Sequence, residues 1–178
     1  EFARAFDLME RTDRSILVTG KAGTGKSTLL QYFLENTAKQ KVVLAPTGVA
    51  AINVSGQTIH SFFGFPPKFI HKDSIRRRRS RTLIRRIDTV IIDEVSMVRA
   101  DLMDGIDYAL RINRGRMDVP FGGAQMIFFG DLFQLAPIVG REEAAVYAEH
   151  YPTPYFFSAG VFKEVMLSRI ELTKIFRQ

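Results

Sequence analysis

The chain contains no cysteine. That excludes disulfides, thiolate metal sites and cysteine nucleophiles, and it fits a reducing compartment. Its apolar runs fall far short of the roughly 20 residues that a membrane-crossing helix needs, so no membrane span is expected. No secretory pattern shows at the start, where the first residue is Glu1. Internal repeats are absent, and the only biased segment is a run of arginines. Apolar residues, in contrast, make up 46% of the 178 positions, which suits a globular chain with one good core.

The formal charge is +6, from 25 basic and 19 acidic residues. Arg76, Arg77, Arg78, Arg79, Arg81, Arg85 and Arg86 lie within eleven positions, and the remainder of the chain is near neutral. Such a patch is the electrostatic footprint of a nucleic-acid binder. On charge alone it equally suits a solvated arginine loop.

Hydrophobic periodicity predicts an opening helix with Phe2, Phe6 and Met9 on one face, a strand over 15–19, a helix over 28–38 that buries Leu29, Leu30, Phe33 and Leu34, and a strand over 41–45. A small-residue helix should follow to Val54, then a turn at Gly56-Gln57-Thr58 with Thr58 capping a short helix through Phe63. Residues 64–80 read as a loop or insertion. Further strands are expected over 89–92, 125–129 and 169–173. A helix should carry Leu102, Ile106 and Leu110, and another, capped by Ser158, should run through Val165. Apolar strands alternating with helices imply an α/β fold, a parallel sheet with helices on both faces. Ligands of such sheets bind at the carboxyl ends of the strands.

The chemistry-bearing motifs fall just past those ends. Gly20-Lys21-Ala22-Gly23-Thr24-Gly25-Lys26-Ser27 fits the phosphate-binding P-loop, GxxxxGK followed by Ser or Thr, between a predicted strand and a predicted helix. Glycines let backbone N–H groups wrap an anion, and the helix that begins near Thr28 points its positive end at it. Lys26 would reach the β- and γ-phosphates, and Ser27 would ligate Mg²⁺. Asp93-Glu94 ends the strand over 89–92. There Asp93 would hold Mg²⁺ and Glu94 would polarise the attacking water; an ordinary acidic strand end is the plainer alternative. Gln134, after the strand over 125–129, suits a γ-phosphate sensor or simply a polar turn. Thr47, Gly48, His60 and Phe62 combine hydroxyl, small, imidazole and aromatic groups fit for phosphate contact and base stacking. Phe62 suits the core as well.

GKAGTGKST at 20–28, APTGVAAINVSGQTIHSFFGF at 45–65, VIIDEVSMV at 90–98, PFGGAQMIFFGDLFQLAPI at 120–138 and LTKIFRQ at 172–178 occur in this order. Together they resemble helicase motifs I, Ia, II, III and IV of the Pif-type DNA helicases, RecD-like members of the B branch of superfamily one. The resemblance implies a P-loop NTPase of RecA-like fold that uses ATP and Mg²⁺ to move 5′ to 3′ on single-stranded DNA and to unwind forked or G-quadruplex DNA. It implies a monomer working in genome maintenance, including repair, recombination and telomeres, in the bacterial cytoplasm at the nucleoid or in the nucleus or mitochondrion. It assigns catalytic roles to Lys26, Glu94, Gln134 and Arg177, nucleotide contacts to Gly20, Ala22, Gly23, Thr24, Gly25, Lys26, Ser27 and Thr28, and metal contacts to Ser27 and Asp93. DNA contacts fall to Thr47, Gly48, His60, Phe62, Arg76, Arg77, Arg78 and Arg79. The expectation is one RecA-like lobe over 1–178 with a small insertion near 64–80, without the second lobe that closes the cleft, and hence weakly active alone. No adenine-reading glutamine is evident before Ile16. The rival readings are a non-catalytic nucleic-acid-binding module with a vestigial P-loop and a remodelling ATPase of the AAA+ type. An intact Lys26, Ser27, Asp93 and Glu94 set argues against the former.

Overall fold

The structure is a computed structural model that describes residues 1–78 and 81–175. Six parallel strands form one sheet: β1 (Ile16–Thr19), β2 (Lys41–Ala45), β3 (Gln57–Thr58), β4 (Thr89–Ile92), β5 (Gln125–Gly130) and β6 (Ser168–Glu171), in the order β3-β2-β4-β5-β1-β6. The central strands β1, β4 and β5 are buried throughout, as expected where helices cover both faces. Side-chain alternation divides the core. Ile16, Val18, Ile91, Ile127 and Phe129 face α1 (Phe2–Arg11) and α2 (Lys26–Asn36). Leu17, Leu44, Val90, Ile92, Met126 and Phe128 face the opposite layer. That layer contains α4 (Ile59–Phe63), α5 (Thr82–Arg86) and α6 (Ala100–Arg114), while α3 (Gly48–Asn53) follows β2.

The α/β reading of the sequence therefore holds, with differences at four places. Gln57-Thr58 is a two-residue edge strand that pairs with Leu44 and Ala45, where a turn was expected; Thr58 still caps α4 by accepting from the Ser61 N–H. The helix expected from Ser158 is instead two 3₁₀ turns, Phe156–Ser158 and Gly160–Lys163, broken by extended backbone at Ala159. A helix that the periodicity did not announce, α7 (Ala144–His150), packs Tyr147 into the core. The expected loop over 64–80 is, over its described part, a strap along α6. It buries Phe65, Phe69, Ile70 and Ile75, which is why it takes a defined path.

Candidate active site

The loop between β1 and α2 owes its shape to glycine. Gly25 caps α2 in the left-handed region, at φ 88° and ψ 17°, a conformation that costs a side-chain-bearing residue about 1 kcal/mol or more. A Cβ on Gly20 would sit 2.5 Å from Thr24 Oγ1 and 2.6 Å from the Leu172 carbonyl oxygen. Thr24 is itself buried, and its hydroxyl donates to the Lys21 carbonyl at 2.8 Å. Gly20 and Thr24 thus build the frame of the loop, while Ala22, Gly23, Gly25, Lys26, Ser27 and Thr28 line a cleft of about 610 Å³. Lys26 Nζ lies across the loop and donates to the carbonyls of Gly20 (2.5 Å) and Lys21 (3.1 Å).

Glu94 and Gln134 line the same cleft, brought there by β4 and β5, which pair directly. Asp93 follows β4, and its N–H donates to the Leu44 carbonyl at 2.9 Å, extending the ladder past the strand. Burial raises the carboxyl pKa of Asp93, opposed by a hydrogen bond from the Glu94 backbone and by the charge of Lys26. Glu94 is raised as well, first by burial and then by the Asp93 charge. Two carboxyls beside one lysine, both reluctant to ionise, form a site that gains from a further cation.

Asp131 is a residue whose role the sequence did not announce. It is buried, its Oδ1 accepts from the Phe133 N–H at 3.0 Å, and its Oδ2 accepts from Gln134 Nε2 at 3.1 Å. It therefore orients the glutamine. Its place in the GDLFQ stretch directly after a strand is the signal that could have found it. Phe2, at the start of α1, also lines the cleft, a place that its helical spacing with Phe6 and Met9 does not announce.

The expected DNA contacts separate into groups. Thr47 caps α3, its hydroxyl accepting from the Ala50 N–H at 3.2 Å, with Gly48 exposed beside it. Val49 and Ile52 on α3 are 72% and 79% exposed. His60 is half-buried, and its pKa is lowered first by burial and then by the Arg99 charge, so it presents a neutral imidazole at neutral pH. Thr47, Gly48 and His60 all follow the carboxyl ends of β2 and β3. Phe62 corrects the expectation of base stacking: it is 5% exposed and packs edge-on against Phe63 at 4.9 Å. Its faces belong to the core.

Arg76, Arg77 and Arg78 are exposed but lie elsewhere. Arg77 Nε donates to the Ile112 carbonyl at 3.3 Å, and the Arg78 N–H donates to Asn113 Oδ1 at 2.8 Å, both in the last turn of α6. Since α6 spans 15 residues, that turn is about 20 Å along the helix from its start. The run thus sits toward the amino ends of the strands. Arg85 and Arg86 belong to α5. Arg79 and Arg177 lie outside the described residues.

No helix among the described residues is long and apolar enough to cross a membrane. A match to the PIF1-like helicase family runs over residues 4–178. The chain is 40% identical to the ATP-dependent DNA helicase PIF1 of Saccharomyces cerevisiae over 178 residues, covering 92% of this chain and 19% of that protein. It is 35% identical to human PIF1 over 170 residues, covering 93% of this chain and 25% of that helicase. Its fold superposes on a Bacteroides Pif1 helicase in complex with ADP-AlF3 and ssDNA with a TM-score of 0.91 at 43% identity, covering 99% of this chain and 42% of that one. The P-loop NTPase architecture of RecA type is thereby established, and the chain belongs to the PIF1-like helicase family.

Proposed function

We propose that this chain is a nucleotide-binding motor lobe of an ATP-dependent DNA helicase that moves 5′ to 3′ on single-stranded DNA and opens duplexes ahead of it. The observation that carries this reading is the convergence of Lys26, Ser27, Glu94 and Gln134 on one cleft at the carboxyl ends of β1, β4 and β5. The chain spans about a fifth to a quarter of the yeast and human relatives' length, so the motor activity belongs to a larger assembly in which a second lobe closes the cleft.

In this reading the N–H groups of 22–27 cradle the phosphates, and Lys26 leaves its carbonyl partners for the β- and γ-oxygens. Ser27 and Asp93 would hold Mg²⁺. One hydroxyl and one carboxylate are hard oxygen donors, and no cluster of three or more potential ligands exists among the described residues. That is the sparse donor set that Mg²⁺ shares with substrate phosphates. Its chemistry there is neutralisation of the charge on the β- and γ-oxygens. Glu94 takes a proton from the attacking water. Its raised pKa brings it closer to the operating pH, which suits a general base. Gln134, held by Asp131, senses the γ-phosphate and couples it to the exposed loop that follows.

Single-stranded DNA would cross the carboxyl edge over Thr47, Gly48 and His60, with Val49 and Ile52 adding apolar surface. Related Pif1 helicases have been seen with ssDNA and at forked dsDNA, which supports DNA as the track. G-quadruplex substrates, a monomeric state, a nucleoid or organellar location and roles in repair and telomere maintenance follow from the same family reading. The test is the ATPase of the longer enzyme carrying this lobe. Single-stranded DNA should stimulate it, and Lys26→Ala should lower the stimulated rate by a factor on the order of 10² or more. Unchanged turnover in that variant would sink the assignment.

A further inference from the structure

We infer that the groove between α1 and β6 binds the phosphodiester backbone of a nucleic acid, at a site separate from the carboxyl edge of the sheet. The groove has a volume of about 710 Å³ and is lined by Arg4, Arg11, Arg14 and Arg169. Asp7 is the one carboxylate among its lining residues. It shares no residue with the nucleotide cleft. Nor does it include Thr47, Gly48 or His60, which belong to the far side of a sheet whose last strand is β6.

The walls of the groove are held by backbone contacts. Arg4, Asp7, Leu8 and Arg11 recur at the spacing of one face of α1, while Ala5 and Met9 are buried on the other. Past the helix the chain is clamped from beneath. Lys39 Nζ donates to the carbonyls of Met9 at 2.8 Å and Thr12 at 2.7 Å. The buried Gln125 donates through Nε2 to the carbonyls of Thr12 at 2.8 Å and Arg14 at 3.1 Å. Its Oε1 accepts from Lys39 and from the Thr89 hydroxyl, each at 2.9 Å. On the opposite wall the Ser168 N–H donates to the Ser15 carbonyl at 2.9 Å, which sets β6 against the same turn. The four arginines thus stand on a backbone that needs little reordering when a ligand arrives, which lowers the cost of binding.

The charges are available and their spacing selects the ligand. Arg4 and Arg14 form no ion pair among the described residues. Arg11 pairs with Asp7 at 3.3 Å and Arg169 with Glu171 at 3.0 Å, between side chains that are all more than half exposed. Such pairs contribute little and yield to a phosphate, whose oxygens take the guanidinium fork with two hydrogen bonds. Arg4 and Arg11 are seven residues apart, about 10 Å along the helix, and Arg14 continues the row beyond it. One phosphate group cannot bridge that distance. A strand, with a phosphate about every 3.4 Å along a duplex, passes all three. Leu8 is the one apolar side chain in the lining, whereas peptides are held by buried aromatic and aliphatic anchors. Arginines on a backbone without base contacts position a nucleic acid and leave its sequence unread.

The experiment exploits the lack of cysteine in the chain. Ser168→Cys places a single thiol in the groove, where a benzophenone label reports by photo-crosslinking whether a nucleic acid lies there. Single-stranded and blunt duplex oligonucleotides are tried separately, and the one that crosslinks identifies the source of the backbone. Combining Arg4→Gln, Arg11→Gln and Arg14→Gln should lower the crosslinked yield about tenfold. Without the label, the same three changes should reduce the slope of log affinity against log salt by about 2–3, read by fluorescence anisotropy. Melting curves should stay superimposable, because all three side chains are exposed. Oligonucleotides that bind the chain without crosslinking at Ser168→Cys would overturn the proposal. So would an unchanged yield and salt slope in the triple variant. Displacement of the crosslinked strand by polyglutamate at equal charge concentration would also overturn it and make the groove a site for acidic peptides. None of these outcomes bears on the nucleotide cleft, which is tested by Lys26→Ala.

Discussion

Glu94 occupies the left-handed region of backbone space, at φ 52° and ψ 42°, one of three non-glycine residues among those described with positive φ. Such conformations persist where the surroundings impose them, and they concentrate at functional sites. Here the turn delivers the carboxyl of Glu94 into the cleft while Asp93 still continues the ladder. Glu94→Gln should therefore keep nucleotide affinity and lower the DNA-stimulated turnover of the longer enzyme by about 10²–10⁴, the usual worth of a general base. Loss of binding in parallel with turnover would show that Glu94 shapes the pocket and does not act as the base.

His60 yields a pH prediction. Its folded pKa lies below its ordinary value of 6.5 because burial and Arg99 disfavour the cation. The folded chain thus binds this proton less readily than the unfolded chain. The contribution of His60 to stability is complete above pH 6.5 and is lost as the pH falls through that value toward the lowered folded one. Melting temperature should drop between pH 7.5 and about 5, and His60→Gln should reduce the drop. Identical pH profiles for the two proteins would contradict the burial argument. Of these side chains, Lys26 and Ser27 were legible in the sequence, because a glycine-bounded loop between a strand and a helix defines its own local geometry. The burial of Phe62 and the hold of Asp131 on Gln134 were not, since each depends on neighbours that the linear order does not specify.

Along α6 the acids Asp101, Asp104 and Asp107 recur every three residues, and all three are buried. Each binds a different segment. Asp101 accepts from the Ile70 N–H at 2.9 Å and pairs with Arg99 at 2.7 Å. Asp104 accepts from the Tyr151 hydroxyl at 2.9 Å and from the N–H groups of Gly160 and Val161, each at 3.0 Å. Asp107 accepts from the Phe121 N–H at 2.6 Å and pairs with Arg111 at 2.9 Å. A helix whose sequence announces only the apolar positions Leu102, Ile106 and Leu110 therefore buries its acids as well. Its acids replace water for the loops packed against it. Asp104→Ala removes three acceptor bonds and orphans two backbone N–H groups. It should destabilise the chain by about 2–4 kcal/mol, read by denaturant unfolding. A loss below about 0.5 kcal/mol would mean that those loops find other partners. The same helix explains the path of the strap, since Ile70 is tied to its start and Arg77 and Arg78 to its end.

The two ends of the sheet are chemically distinct. The nucleotide cleft and the Thr47, Gly48 and His60 group lie at the carboxyl end, whereas Arg76, Arg77 and Arg78 sit near the amino end. If the arginines touch DNA, they touch a part of it away from the single strand proposed to run over Thr47, Gly48 and His60. Replacing Arg76, Arg77 and Arg78 by Ala should flatten the slope of log affinity against log salt by about 2–3 while leaving basal nucleotide hydrolysis unchanged. An unaltered slope would leave the run as a solvated cap on the end of α6.

The linear order of residues was sufficient for most of the strand–helix alternation, the P-loop and the acidic strand end, because each depends on spacing within a few residues, and for the family signature, which is the order of five such local motifs. It did not reveal the strand order β3-β2-β4-β5-β1-β6, the conversion of an expected loop into a packed strap, or the separation of the arginines from the carboxyl edge. Nor did it reveal Phe2 at the mouth of the cleft. Those features arise from contacts between segments far apart in sequence, where burial and the need to satisfy backbone groups choose among the local options that the residues allow.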